Sequence, residues 1–292
     1  MTAATVGAGR RYALLLALKD SDYAKKAYGG YYNVFAAAFG EQGDRWDGFR
    51  VVDGEFPAAE DLALYDGFVV TGSPYDAYGD EPWIRRLCRL VQTLHAMRKR
   101  VLGVCFGHQL LCRALGGRVG KSTTGWDVGV RKVTLAPQEG DLTFMIWLLM
   151  QVWEIPPGAR VLAYSEKTRV EAFTLGDHAL GVQGHPEYTL DILHNLIDRL
   201  VNDGSIQRRL GDDARRTAAE TGGPDRAFWT ALCKRFLRGQ PQATSIITRP
   251  AAAAAAALVP DVTAGRAAVV AAGCFAAAPT LHQLACTAGT GI

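Results

Sequence analysis

The 292-residue chain is short of several things, and each shortage narrows what it can be. It has no Cys-x-x-Cys pair. Its six cysteines, Cys88, Cys105, Cys112, Cys233, Cys274 and Cys286, stand far apart, which argues against a zinc site or a disulfide framework and for a reducing compartment. It has no long apolar run either: the longest strongly apolar stretch, Phe144 to Val152, is far below the roughly 20 residues that span a bilayer as a helix. Neither sign of charge dominates. With 32 Lys+Arg against 29 Asp+Glu, interspersed to a net +3, no basic face is predicted for nucleic acid or an anionic membrane. Met1 to Arg11 has no apolar signal-peptide core, so a soluble protein of the cytosol is expected.

What is present centres on residues 100 to 109, Arg-Val-Leu-Gly-Val-Cys-Phe-Gly-His-Gln. Val101, Leu102 and Val104 read as a buried strand, and Gly107 opens a helical run through Leu110, Leu111, Ala114 and Leu115 to Gly116-Gly117. Gly103-Val104-Cys105-Phe106-Gly107 fits a G-x-nucleophile-x-G elbow, with sulfur in place of the serine oxygen. Glycines there permit strained torsions and close approach, and a helix N-terminus favours a thiolate. The competing reading is an inert buried cysteine, and only a partner base separates the two.

The rest of the chain supplies a sheet. Tyr12 to Leu18, Phe49 to Val52, Gly67 to Val70 and the elbow strand alternate with helices at Val34 to Phe39 and Trp83 to Met97, a rhythm that predicts a doubly wound α/β fold. Arg85, Arg86 and Arg89 are expected on a solvated face. Arg118 to Lys121 and Val128 to Leu135 read as antiparallel additions. Arg160 to Tyr164, Arg169 to Phe173 and Ala179 to Val182 continue the sheet. Helices at Leu190 to Val201, Ile206 to Glu220 and Asp225 to Leu237 close the domain, so the expected organisation is a disordered 1–10, a domain over 11–239 and an Ala-rich, low-complexity, disordered 240–292.

Two other stretches bear on chemistry. Thr71-Gly72-Ser73-Pro74, at a strand end, is either a plain turn or a presentation of backbone N–H groups beside Cys105. Gln183-Gly184-His185-Pro186-Glu187-Tyr188 follows an apolar strand, and its spacing puts His185 and Glu187 on one face of an extended segment. There His185 is placed to serve as base, with Glu187 orienting it through its second nitrogen. His95, His178 and His282 are read as structural, His108 as facing the sheet behind the elbow, and His194 as lying on a helix surface. The tyrosines of Tyr28-Gly29-Gly30-Tyr31-Tyr32 are read as half-buried packing.

Taken together, Gly103 to Gln109 and Gly184-His185-Pro186-Glu187 resemble the class I glutamine amidotransferase family over roughly residues 11 to 238. Tyr28 to Phe35, Trp46-Asp47, Tyr65 to Phe68 and the Trp229 to Phe236 helix look like its branch of free-standing plant gamma-glutamyl peptidases. The resemblance implies a mostly parallel sheet with helices on both faces, in a flavodoxin-like layout. It implies Cys105 as nucleophile, His185 as general base and acid, and Glu187 as the group that orients it. The N–H groups of Phe106 and of Gly72 or Ser73 would form the oxyanion hole, and Gln109 would help hold the γ-glutamyl group. The implied substrate is a glutathione conjugate, cleaved through a γ-glutamyl thioester with no metal or organic cofactor. A glutaminase subunit feeding ammonia to a separate synthase, and a binding protein with an impaired site, are the alternatives. One stretch departs from the family pattern: Asp141 to Gln151, almost wholly apolar, stands where a longer segment ending in a polar His/Asp-containing strand is expected.

Overall fold

The computed structural model describes residues 9–122, 125–136, 141–148, 150–220 and 225–240. The expectations for 1–8, for 241–292 and for His282 therefore lie outside the described residues.

The chain begins with β1 (Arg11–Leu15), α1 (Asp22–Tyr28), α2 (Tyr31–Phe39) and β2 (Arg45–Phe49). Then come β3 (Gly67–Val70), α3 (Pro82–Ala96), β4 (Arg100–Val104) and α4 (Phe106–Ala114). Next are β5 (Arg118–Lys121), β6 (Asp127–Leu135), β7 (Asp141–Leu148), β8 (Met150–Glu154), β9 (Arg160–Tyr164), β10 (Ala172–Leu175) and β11 (Ala179–Val182). Helices α5 (Leu190–Asn202), α6 (Arg208–Glu220) and α7 (Arg226–Leu237) close it. Among the described residues the main sheet runs β2-β1-β3-β4-β11-β10-β9-β6-β7. Its first five strands are parallel and its last four join antiparallel.

The parallel core follows from composition. β3 and β11 are buried at every residue, and β1 and β4 at every residue but the first, as strands covered on both faces must be. Helices α2, α5, α6 and α7 pack on one face, α3 and α4 on the other. Helix α3 shows how the sequence assigns a face: Pro82 starts it, Ile84, Leu87, Val91 and Leu94 are buried at helical spacing, and Arg85, Arg86 and Arg89 are exposed. Strand order reverses at β1/β3, and in open α/β sheets ligands collect beyond the strand C-termini near such a point. The ends of β3, β4 and β11 all lie on that rim.

Several expected boundaries shift. The strand expected over Phe49 to Val52 is Arg45–Phe49, followed by a 3₁₀ turn at Val51–Asp53. Its sequence, Arg-Trp-Asp-Gly-Phe, hides it because an edge strand is only half covered and carries no continuous apolar run. Arg169 to Phe173 becomes Ala172–Leu175, with a register irregularity at Ala172/Phe173, because Ser165 N–H bonds the Thr168 carbonyl and spends those residues on a turn. β5 is not an addition to the main sheet: it pairs with β8 in a separate two-stranded sheet. The departing stretch forms β7, antiparallel to β6 from Asp127↔Leu148 to Thr134↔Asp141.

Candidate active site

β4 ends at Val104, and Cys105 then turns the chain with φ 52° and ψ −103°, a conformation a residue with a side chain keeps only where its surroundings over-determine it. Two bonds hold it. Cys105 N–H donates to the Val182 carbonyl of β11 at 2.9 Å, and its own carbonyl accepts from Gln109 N–H at 3.1 Å, opening α4. The elbow glycines are required by close approach: a Cβ at Gly103 would lie 2.4 Å from the Gly107 carbonyl carbon, and one at Gly107 would lie 2.3 Å from the Val70 carbonyl oxygen. Leu110 and Leu111, fully buried, pin the helix to the sheet, each contributing roughly 1.5–3 kcal/mol. The helix starts at Phe106, one residue before the glycine expected to open it, so Cys105 is the cap residue, with its sulfur where the helix N-terminus favours negative charge.

The second segment leaves β3. Thr71, fully buried, accepts a bond from Ala17 N–H at 2.9 Å and donates one to the Gly72 carbonyl at 2.9 Å, tying this loop to β1. Ser73 turns its hydroxyl to the Tyr75 N–H at 3.2 Å. Gly72 is where everything meets. A Cβ there would lie 3.6 Å from Cys105 Cβ, 3.7 Å from His185 Nε2 and only 2.8 Å from His185 Cε1.

The third segment follows β11. His185 Nδ1 bonds Glu187 Oε1 at 2.7 Å, both side chains 1% exposed, while Arg226 of α7 donates to the Glu187 carbonyl at 3.4 Å. Burial opposes a charge on His185, yet the Glu187 carboxylate and the Cys105 sulfur, both hydrogen-bonded to the imidazole, outweigh it and push its pKa up to about 10. The Tyr188 ring stacks on the imidazole at 4.2 Å between centroids and 15° between planes. A thiol at a helix N-terminus beside an imidazole whose far nitrogen is held by a carboxylate can attack a carbonyl and carry the proton.

The Glutamine amidotransferase class-I family model matches residues 48–199, just over half of the chain. The chain belongs to that family. It is 46% identical over 243 residues to gamma-glutamyl peptidase 3 of Arabidopsis thaliana, covering 79% of this chain and 97% of that protein. It is 48% identical over 245 residues to gamma-glutamyl peptidase 5 of the same plant, covering 80% and 97%. A glutamine amidotransferase structure from Thermotoga maritima matches the fold with a TM-score of 0.61 at 20% identity, over 78% of this chain and 98% of that one.

The other residues singled out in the sequence are placed as follows. Gln109 is buried in the first turn of α4 and donates to Gln183 Oε1 at 3.1 Å, so the amide proposed to touch substrate is itself aligned by the residue that follows β11. His108 is fully buried against Phe173 at 5.0 Å, behind the elbow as expected, and burial drives its pKa down to about 3. His178 Nε2 and His95 Nδ1 bond each other at 2.8 Å, and His194 is exposed on α5. Of the tyrosines, Tyr28 and Tyr32 are half-buried, but Tyr31 is buried. Where the family's polar strand was expected, Gln151 of β8 donates to Ser122 Oγ at 2.9 Å and to the Lys167 carbonyl at 3.0 Å, fastening the small sheet to the 165–168 turn. Sequence reasoning missed Gln183 and Tyr188: both lie in the quoted stretch, but only tertiary contact shows what each touches. Among the described residues Cys88, Cys112 and Cys233 form no disulfide, and burial lifts Cys112 to about 12.

Proposed function

We propose that the chain is a cysteine-dependent hydrolase of γ-glutamyl amide bonds whose substrates are glutathione conjugates. The observation that carries this reading is the convergence on Gly72 of the Cys105 and His185 side chains, which stand 80 residues apart in sequence. The likeness to the two plant gamma-glutamyl peptidases supports a γ-glutamyl compound as substrate; the glutathione conjugate is the finer part of the proposal. In the proposed reaction Cys105 Sγ attacks the γ-carbonyl carbon as a thiolate, its proton already held on His185 Nε2. The resulting oxyanion is received by the Phe106 N–H and that of Gly72 or Ser73. Collapse breaks the C–N bond, His185 returns the proton to the departing amine, and a γ-glutamyl thioester remains. Water, deprotonated by His185, hydrolyses the thioester to glutamate and frees the sulfur. Glu187 holds Nδ1–H throughout, and Gln109 steadies the γ-glutamyl group.

The test is to incubate the protein and its Cys105→Ala variant with a glutathione S-conjugate, glutathione and glutamine, measuring glutamate and ammonia. Glutamate from the conjugate, absent with the variant, is the expected result. Ammonia from glutamine alone would replace this reading with a glutaminase subunit, and silence on all three would leave a binding protein.

Glu187→Gln keeps an acceptor for Nδ1–H but removes the charge. Its loss in kcat should be smaller than that of His185→Ala by roughly a factor of 100. Because the carboxylate holds the imidazole's pKa up, the basic limb of the pH–rate profile should move to lower pH. An unmoved limb would show that the carboxylate charge does not act on His185.

A further inference from the structure

The imidazole of His185 is restrained on more sides than a triad requires. Nδ1 is held by Glu187 and Nε2 faces Cys105, while Cε1 lies against Gly72. One whole ring face is covered by Tyr188, which is itself 4% exposed. Tyr188 does not stand alone. Its other neighbour is Tyr31, stacked at 6.4 Å and 27°. Tyr31 opens α2, where its N–H is held by Asp20 Oδ1 at 2.6 Å, and its hydroxyl lies 3.4 Å from Ser21 Oγ. An aromatic column thus runs from the start of α2, anchored by the loop after β1, through Tyr188 to the candidate base.

We infer that Tyr188 is a positioning residue for His185: its ring face, braced by Tyr31, fixes the imidazole plane so that Nε2 points at Cys105. This rests on the reading of Cys105 and His185 given above and goes beyond it, since Tyr188 acts through the imidazole it covers and is given no bond-making or proton-carrying part in the reaction. Two physical effects belong to the stack. A ring at this distance and tilt removes the rotations about the side-chain bonds that would swing Nε2 away from the sulfur. The electron-rich face of the phenol also favours the imidazolium over the neutral ring. The groups facing this unit are the Glu187 carboxylate and Cys105 sulfur on the imidazole, Tyr31 and Arg199 around Tyr188, and Cys233 and Arg226 of α7 beside Glu187. Burial holds the Tyr188 phenol well above its usual range, so it stays neutral while His185 titrates.

The phenol ring and the hydroxyl are separable. Tyr188→Leu removes the π-face and Tyr188→Phe keeps it. Two readouts are taken on folded protein: turnover of the glutathione conjugate, and the pH dependence of Cys105 alkylation by iodoacetamide, which needs no substrate. Expected for Tyr188→Leu is a kcat about tenfold lower with KM unchanged, and an alkylation midpoint displaced to higher pH because the imidazolium that accompanies the thiolate is less favoured. Tyr188→Phe should restore the wild-type profile in both. If Tyr188→Leu does not fold, Tyr188→Met, of similar volume and without a ring, is read in its place. Wild-type midpoint and kcat in the ringless variant would overturn the inference, and so would a Phe variant that behaves like Leu, since the hydroxyl would then be the active part. Failure of the wild type to cleave any γ-glutamyl compound would sink the proposed function alone, because the alkylation profiles still decide whether Tyr188 acts on the Cys105–His185 pair.

Discussion

His185→Ala is expected to lower kcat on the glutathione conjugate by a factor on the order of 10⁴ or more, about as much as Cys105→Ala, with the double variant no worse than either. Members of a proton-relay unit fail together, because each one's contribution exists only while the other is present. The same substitution strands the Glu187 carboxylate at 1% exposure without its partner, and breaking a buried pair in this way costs about 3–5 kcal/mol. Melting temperature should therefore fall along with turnover. The two effects can be separated: adding Glu187→Gln to His185→Ala removes the stranded charge and should recover most of the lost melting temperature while recovering none of the turnover. Turnover near wild type in His185→Ala would refute the role assigned to the imidazole.

The second large effect belongs to a residue with no side chain. Gly107→Ala places a methyl 2.3 Å from the Val70 carbonyl oxygen and 3.0 Å from the Val70 Cβ, and the obstacle is strand backbone that no rotamer change can clear. Either the end of β3 or the first turn of α4 must move. Overpacking of this kind costs about 1–3 kcal/mol, often more where the backbone is the obstacle. Catalysis should suffer separately: Gly72 follows β3 and Phe106 begins α4, so a shift between them of about 1 Å is enough for a roughly 100-fold loss in kcat. Thermal unfolding and steady-state kinetics on Gly107→Ala check both statements. A variant with unchanged stability and rate would mean that the approach of α4 to β3 does not set the geometry of the rim.

These two experiments touch features that differ in how visible they are in the chain. The elbow is local: Gly103, Cys105 and Gly107 sit within five residues, and the steric demands of a strand-to-helix turn write themselves into that spacing. His185 and Glu187 are equally local, because alternation along an extended segment puts their side chains on one face. The parallel strands β1, β3, β4 and β11 could be read because burial on both faces turns each into an apolar run. Edge strand β2 could not, because half of it faces solvent and its composition matches a loop. Which strands pair was hidden as well: β5 and β6 look alike in pattern, yet one joins β8 and the other the main sheet, a choice made by long-range contacts that local periodicity does not encode.

From the amino-acid order alone came the doubly wound fold, the strained cysteine turn, and the pairing of His185 with Glu187, because each depends on side-chain types at spacings of a few residues. The meeting of Cys105 with His185 over Gly72, the alignment of Gln109 by Gln183, and the aromatic column that clamps the imidazole were decided only when the sheet assembled. Those contacts join residues from different strands and helices, and their distances are set by strand order and helix packing, which no local stretch of sequence specifies.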